Sequence, residues 1–171
     1  MQLTLSATSP QAMTTNAEGG SAGSTALTAV VAVSLALIAP NLHGVAQRSR
    51  VTSAANQLLT DLKFARNSAV TRGQTVSLCP SANGSRCSGD PRGWQDGYLV
   101  FVDVDADRQR DIAEPLLRAY GAQPGVNLFS TAGRPAVRFR PDGSAWSTNT
   151  TFSICAGADP DNHRAVVLYG S

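Results

Sequence analysis

A run of carboxylates is the first feature of this sequence with the residue types and the spacing to do chemistry. It reads DVDADRQRDIAE over residues 103–114 and is called the acidic loop below. Its acidic side chains stand at positions one, three, five, nine and twelve: Asp103, Asp105, Asp107, Asp111 and Glu114. Oxygen ligands at such intervals are typical of a calcium loop, which makes calcium the one cofactor that the sequence suggests. Position six is Arg108 rather than glycine, and no helix flanks the segment, so a solvated hairpin turn is the alternative.

A second group is cationic. Arg138 and Arg140 are two residues apart in a predicted strand and therefore share one face of it, and Arg134 precedes them closely. Three guanidinium groups on one side could contact DNA phosphates, in a way that depends on salt and not on base sequence. A solvated strand face is the alternative. The formal net charge of only +2 gives the chain no strong field toward nucleic acid.

The cysteines form a third group. Cys79 and Cys87 lie close together in a loop that contains the turn sequence Asn83-Gly84. This placement favours a disulfide, and hence an oxidising compartment, over two separate buried thiols. No C-x-x-C motif occurs and only two histidines are present, so a zinc site is not expected. Cys155 lies in an apolar strand pattern and is expected to be a buried free thiol.

Catalytic residues are not predicted. A nucleophilic Cys155 would need a base beside it, but His43 falls at the edge of the apolar segment and His163 in a turn. The sequence contains no phosphate loop, nucleophile elbow or metalloprotease helix. We therefore expect this chain not to be an enzyme.

The stretch that must position these groups begins with an apolar segment, residues 26–39, which carries no charge. It is shorter than the ~20 residues that span a bilayer core, and residues 40–42 bring it near the lower limit. Because the segment has no polar face, we favour a membrane anchor over a buried helix or the apolar part of a signal peptide. Pro40 predicts a kink in the helix or a short break.

Beyond the proline, small and aliphatic side chains recur at intervals of four and three, which is one face of a helix. They are Val51, Ala55, Leu58, Leu62, Ala65 and Ala69. Polar residues, including Asp61, fall mainly off this face. Gly73 directly after Arg72 predicts the end of the helix.

After Gly73 the period of the pattern changes to two, which indicates short strands between turns. The predicted strands are 74–80, 97–103, 115–120, 126–129, 136–140, 150–155 and 164–169. The fold class is therefore α+β: a long N-terminal helix, kinked near Pro40, packs on an antiparallel β-sheet domain. The predicted division is a disordered leader (1–25), a transmembrane half-helix (26–42), an amphipathic half-helix (43–72) and the β domain (73–171).

Several segments together resemble one family. The helix ends in LKFARNSAVTRGQTVSLC, the middle of the chain reads GWQDGYLVFVDVDADRQRDIAEPLLR, and VRFRPDG and FSIC follow. On these motifs the chain resembles the GspH/FimT-type minor pseudopilins, which share the type IV pilin-like plan. The resemblance covers roughly residues 35–169. Its most specific part is 94–103.

The resemblance implies a structural subunit of a type II secretion or type IV pilus machine, acting at the filament tip in assembly and protein secretion. The partners would be other pilins or pseudopilins, contacted through the N-terminal helix. The location would be the bacterial inner membrane, with a single pass and the β domain in the periplasm. A DNA-binding minor pilin that serves DNA uptake is the alternative.

The N-terminal signature of the family departs most from this sequence. Its pattern G-F-T-L-x-E-L is cleaved and methylated by a prepilin peptidase. Residues 23–29 read GSTALTA and lack both the phenylalanine and the glutamate. No processing site and no methylation are therefore assigned.

Overall fold

The computed structural model describes residues 23–145, 149–157 and 163–170, with side chains from residue 44 onward. The chain forms two units, Met1–Ala39 and Pro40–Ser171. Within the described part, no helix combines the length and the apolar character needed to cross a membrane. The predicted leader lies almost entirely outside the described residues, and so do the side chains of the predicted transmembrane half, 26–42.

The helix α1 spans Gly23–Arg72. Its backbone is helical through Pro40, so the short break considered as an alternative is not found, and a kink there stays a prediction. The helix ends as the sequence predicts. Gly73 adopts a φ of 63°, and its N–H donates to the carbonyl of Val70, while the next N–H donates to that of Ala69. Glycine at this position reaches the left-handed conformation without steric cost.

The apolar face of α1 supplies part of the core of the Pro40–Ser171 unit. All six side chains predicted on this face are buried, and Leu58, Ala65 and Ala69 are fully so. Small residues at these positions let the helix lie close to the strands, and the aliphatic ones fill the space between them. The predicted packing of the helix on the β domain is confirmed.

In the described part of the chain seven strands follow the helix, each within a few residues of its predicted position. They are β1 (Val76–Pro80), β2 (Gly97–Val102), β3 (Leu116–Gly121), β4 (Asn127–Ser130), β5 (Val137–Phe139), β6 (Thr150–Cys155) and β7 (His163–Leu168). All pairings are antiparallel.

The strands form two sheets, whereas the sequence suggested one. The first has the order β3-β2-β1-β5, and the second the order β4-β6-β7. In the first sheet β1 lies between two partners, with Val76 opposite both Val102 and Phe139. Its side chains are buried along the whole strand, as expected for a central position.

A short 3₁₀ helix, η1 (Gly93–Asp96), lies between β1 and β2 in the chain, packs against the second sheet and is not predicted from the sequence. Its Trp94 is buried, donates from Nε1 to Ser130 Oγ at 3.1 Å, and meets the ring of Phe152 edge-on at 4.9 Å. The next residue after η1, Gly97, has a φ of 126°, and a Cβ there would lie 2.4 Å from the carbonyl oxygen of Tyr120. Only glycine fits this close approach.

Candidate functional site

A buried carboxylate holds α1 against the first sheet. Asp61 is fully buried, and each of its oxygens accepts two hydrogen bonds. Oδ2 accepts from Gln57 and from the hydroxyl of Tyr98, while Oδ1 accepts from Tyr120 at 2.9 Å and from Arg118 at 3.0 Å. These four partners and Asp61 are called the Asp61 clamp. Because every lone pair has a donor, the clamp offers no free atom for chemistry and serves to position the helix.

The rings of the clamp are packed as well as hydrogen bonded. Tyr98 and Tyr120 lie opposite each other on β2 and β3 and stack with centroids 4.9 Å apart. The guanidinium of Arg118 lies 3.6 Å from the centroid of the Phe64 ring. Burial, and then the Asp61 carboxylate, raise the pKa of Tyr98 far above its usual range, and the pKa of Tyr120 is raised for the same reasons.

The disulfide predicted from the sequence is present. Cys79 at the end of β1 is bonded to Cys87, with Cα atoms 5.5 Å apart. Asn83 organises the enclosed loop, since its side-chain oxygen accepts from the N–H groups of Ser85 and Arg86. Cys155 is a free thiol that is half-buried rather than fully buried.

The acidic loop connects β2 to β3, so its two ends lie side by side. Asp103, Asp105 and Glu114 bring carboxylate oxygens within 4.8 Å of one another. In the described part of the chain, Asp107 and Asp111 do not join this group. Asp107 instead accepts a hydrogen bond from the N–H of Gln109. The structure thus brings together three of the five side chains suggested as calcium ligands.

Asp103 is the least accessible of the three. It is fully buried, and its Oδ2 accepts from Ser77 Oγ and from the N–H of Arg108 at 3.2 Å. Its Oδ1 is buried and has no hydrogen-bond partner among the described residues. Burial raises the pKa of Asp103, although the hydrogen bonds from Ser77 and Arg108 act in the opposite direction.

Glu114 closes the loop at the other end. Its Oε1 accepts from the N–H of Val104 at 2.7 Å, and its Oε2 accepts from the N–H of Asp111 at 3.0 Å. Arg110 extends from the loop to the carbonyl oxygen of Ser85 at 2.6 Å, which ties the acidic loop to the disulfide loop. The loop is therefore held at both ends and along its side.

The predicted cationic group is rearranged in the structure. Arg138 donates to the carbonyl oxygen of Ala106 and so contacts the acidic loop. The pKa of Arg108 is lowered, first by burial and then by the positive charges of Arg138 and Arg134. Arg138 and Arg134 therefore lie within electrostatic range of Arg108, a residue that the spacing of the sequence does not assign to this group. Arg140, the third predicted member, is exposed at the end of β5.

Comparisons with known proteins agree with this architecture. The family model described as type II transport protein GspH matches residues 54–171. A crystal structure of the type IV minor pilin FimU from Pseudomonas aeruginosa is similar, with a TM-score of 0.54 and 23% identity over 70% of this chain and 82% of that chain. FimU in a second crystal form gives a TM-score of 0.51 and 22% identity over 68% and 83%.

The minor pseudopilin EpsH from the type 2 secretion system of Vibrio cholerae aligns with a TM-score of 0.46 and 17% identity, over 69% of this chain and 88% of that chain. No curated protein sequence matches the chain. The family match covers most of the buried half of α1 and all seven strands. The chain belongs to the GspH family, and its fold is that of the pseudopilins and minor pilins of type II secretion and type IV pilus systems.

Proposed function

We propose that this chain is a membrane-anchored minor pseudopilin, a structural subunit that acts at the filament tip in assembly and protein secretion. The observation that carries the proposal is the double use of α1. Its residues 51–69 provide core side chains to the β domain, and the same helix contains the charge-free segment 26–39. A subunit built in this way couples a folded domain to an apolar helix, which is what lateral packing in a filament requires.

The chain also suits the proposed location. No Asp, Glu, Lys or Arg occurs between Glu18 and Arg48, so the apolar helix can enter a bilayer or pack against the helices of other pilins. The Cys79–Cys87 disulfide is compatible with an oxidising periplasm. We therefore place the helix in the bacterial inner membrane and the β domain in the periplasm.

Deletion of the gene in its host tests the proposal. We expect the deletion to reduce either the amount of exported enzymes or the number of surface pili. A loss of exported enzymes would indicate the secretion machine, and a loss of pili would indicate the pilus. The full chain should restore the phenotype. Leu35→Arg places a charge in the apolar segment. Because such a charge costs about 3 kcal/mol at a bilayer centre, we expect this variant neither to associate with the membrane nor to complement the deletion.

Leu59→Arg is the matched control, because Leu59 lies on the same helix with its side chain 39% exposed. We expect it to complement the deletion. A deletion without effect on secretion or piliation would contradict the proposed function, and so would membrane association of the Leu35→Arg variant. Gold labelling of sheared filaments tests the tip position, since label spread along the whole filament would argue against it.

A DNA-binding minor pilin for DNA uptake is the second candidate, supported by the contact of Arg138 with the acidic loop near Arg108 and by the positive charges of Arg134 and Arg138 that act on Arg108. Gel-shift assays of the full chain at varied salt would test it. Arg134→Ala should weaken binding and lower the salt slope by about one, while Arg48→Ala, an exposed arginine on α1, should not. Absence of any shift at low salt would exclude this candidate.

A further inference from the structure

We propose that Asp103, Asp105 and Glu114 bind one calcium ion at the base of the acidic loop. The proposed site lies within the Pro40–Ser171 unit, and the proposal does not depend on the filament function. Asp103 directly follows β2, Glu114 lies just before β3, and the antiparallel pairing of these strands brings the two ends of the loop together.

The spacing of the three carboxylates fits a single ion. Their oxygens lie within 4.8 Å of one another. Calcium binds oxygen at 2.3–2.6 Å, so two ligands on opposite sides of the ion are at most about 5 Å apart. The group therefore needs no large movement to converge on one cation. Three like charges at this separation repel one another, and a divalent cation between them would reverse that effect.

The unpartnered oxygen of Asp103 is the independent observation that points to a ligand. Asp103 is fully buried, and Oδ1 has no hydrogen-bond partner among the described residues. The positive charge of Arg108 acts on Asp103, but among the described residues Arg108 makes no hydrogen bond to this oxygen, and its own Nε is likewise buried without a partner. A buried carboxylate oxygen without a hydrogen-bond donor is costly. A divalent ion beside it would remove that cost.

The donor set selects the kind of metal. All three side chains offer carboxylate oxygen, and within the described residues the group includes no histidine and no cysteine. Oxygen-only sites suit the hard cations, and calcium tolerates irregular geometry with water completing its six to eight ligands. Backbone N–H groups already orient Glu114, which leaves lone pairs on its oxygens for the ion.

Calorimetric titration of the full-length chain with calcium chloride, in detergent and after removal of metal with a chelator, tests the site. We expect one ion per chain with a Kd between roughly 10⁻⁴ and 10⁻³ M, the range of exposed extracellular sites. The thermal midpoint should rise with calcium concentration. Asp105→Asn should weaken binding by at least about tenfold, because one of three charged ligands is lost.

Asp111→Asn is the matched control, since it makes the same change of charge in the same loop but outside the group of three. It should bind calcium within about twofold of the unchanged chain. Asp105 is exposed, so its variant is expected to fold, which circular dichroism would verify. Absence of binding at 10 mM calcium would overturn the proposal. Equal loss of affinity in Asp105→Asn and Asp111→Asn would also overturn it, because it would indicate a diffuse attraction.

Discussion

Asp61 and Asp103 are both fully buried, but their surroundings differ. Asp61 receives two hydrogen bonds on each oxygen from the Asp61 clamp. Asp103 receives two on Oδ2, and its Oδ1 has no partner among the described residues. The first carboxylate lies between a helix and a sheet, and the second lies at the start of a loop. The two carboxylates are thus equally buried, but both oxygens of Asp61 accept hydrogen bonds, whereas only one oxygen of Asp103 does.

The difference shows how a buried charge can serve two purposes. A carboxylate whose lone pairs are all used by protein donors fixes the geometry of the elements that contribute those donors. A carboxylate with an unused oxygen beside two other acids is suited to an external cation. We therefore expect the clamp to respond to mutation in any buffer and the acidic loop to respond mainly when calcium is present.

Removal of the clamp carboxylate should have the largest effect. Asp61→Ala leaves the hydroxyl of Tyr98 buried without an acceptor and deletes four hydrogen bonds to a charged group. We expect a loss of about 3 kcal/mol or more in the free energy of unfolding, measured in urea. Asp96→Ala, at an exposed aspartate, should change it by less than about 0.5 kcal/mol. Similar losses in the two variants would show that the clamp does not stabilise the fold.

Loss of the disulfide should have the second-largest effect on the free energy of unfolding. Replacement of Cys79 and Cys87 by serine releases a short loop, with an expected loss of about 2–3 kcal/mol in the chain-entropy model. Because Arg110 joins this loop to the acidic loop, we also expect weaker calcium binding in the double variant. Cys155→Ser, which removes the free thiol, is the control. Unchanged unfolding under reducing conditions would contradict this prediction.

The tyrosines of the clamp should make stability depend on alkaline pH. The folded pKa of Tyr98 is raised above the ordinary value of 10.0, so its contribution is complete below pH 10 and is lost as the pH rises above it. Tyr98→Phe should cost about 1.5–3 kcal/mol at pH 7 and flatten the decline between pH 10 and 11. Tyr169→Phe, at an exposed tyrosine, should leave the decline unchanged.

The smallest effect is expected at the acidic loop without calcium. Asp105→Asn should alter the free energy of unfolding by no more than about 0.5 kcal/mol in chelator, since Asp105 is exposed. The same variant should lose the stabilisation that calcium gives to the unchanged chain. A large destabilisation in chelator would mean that Asp105 is structural, and the contrast between the two carboxylates would fail.

The sequence predicted the elements of this fold better than their arrangement. The six helix positions from Val51 to Ala69 and all seven strands follow from local periodicity, which depends only on nearby residues. The division into two sheets does not, because β1 pairs with β5 from far along the chain. Alternation shows that a segment is a strand but not which strand lies beside it.

The clamp was missed for a related reason. The sequence pattern puts Asp61 among the polar residues off the apolar face, yet Asp61 lies three residues after Leu58 and four before Ala65, which are buried positions. That spacing is a signal that could have found it. Its partners Arg118 and Tyr120 share one face of β3, two residues apart, but only the tertiary structure brings that face to the helix. In the acidic loop, five carboxylates were suggested and three converge, because the backbone of the loop decides which side chains meet.

The most direct test of the contrast between the two carboxylates is carboxyl ¹³C NMR of the full-length chain, labelled at aspartate and titrated with calcium chloride. We predict that the side-chain resonances of Asp103 and Asp105 shift together and saturate, while those of Asp61 and Asp111 stay in place. Resonances of all exposed aspartates moving alike, or no movement of Asp103, would contradict the account.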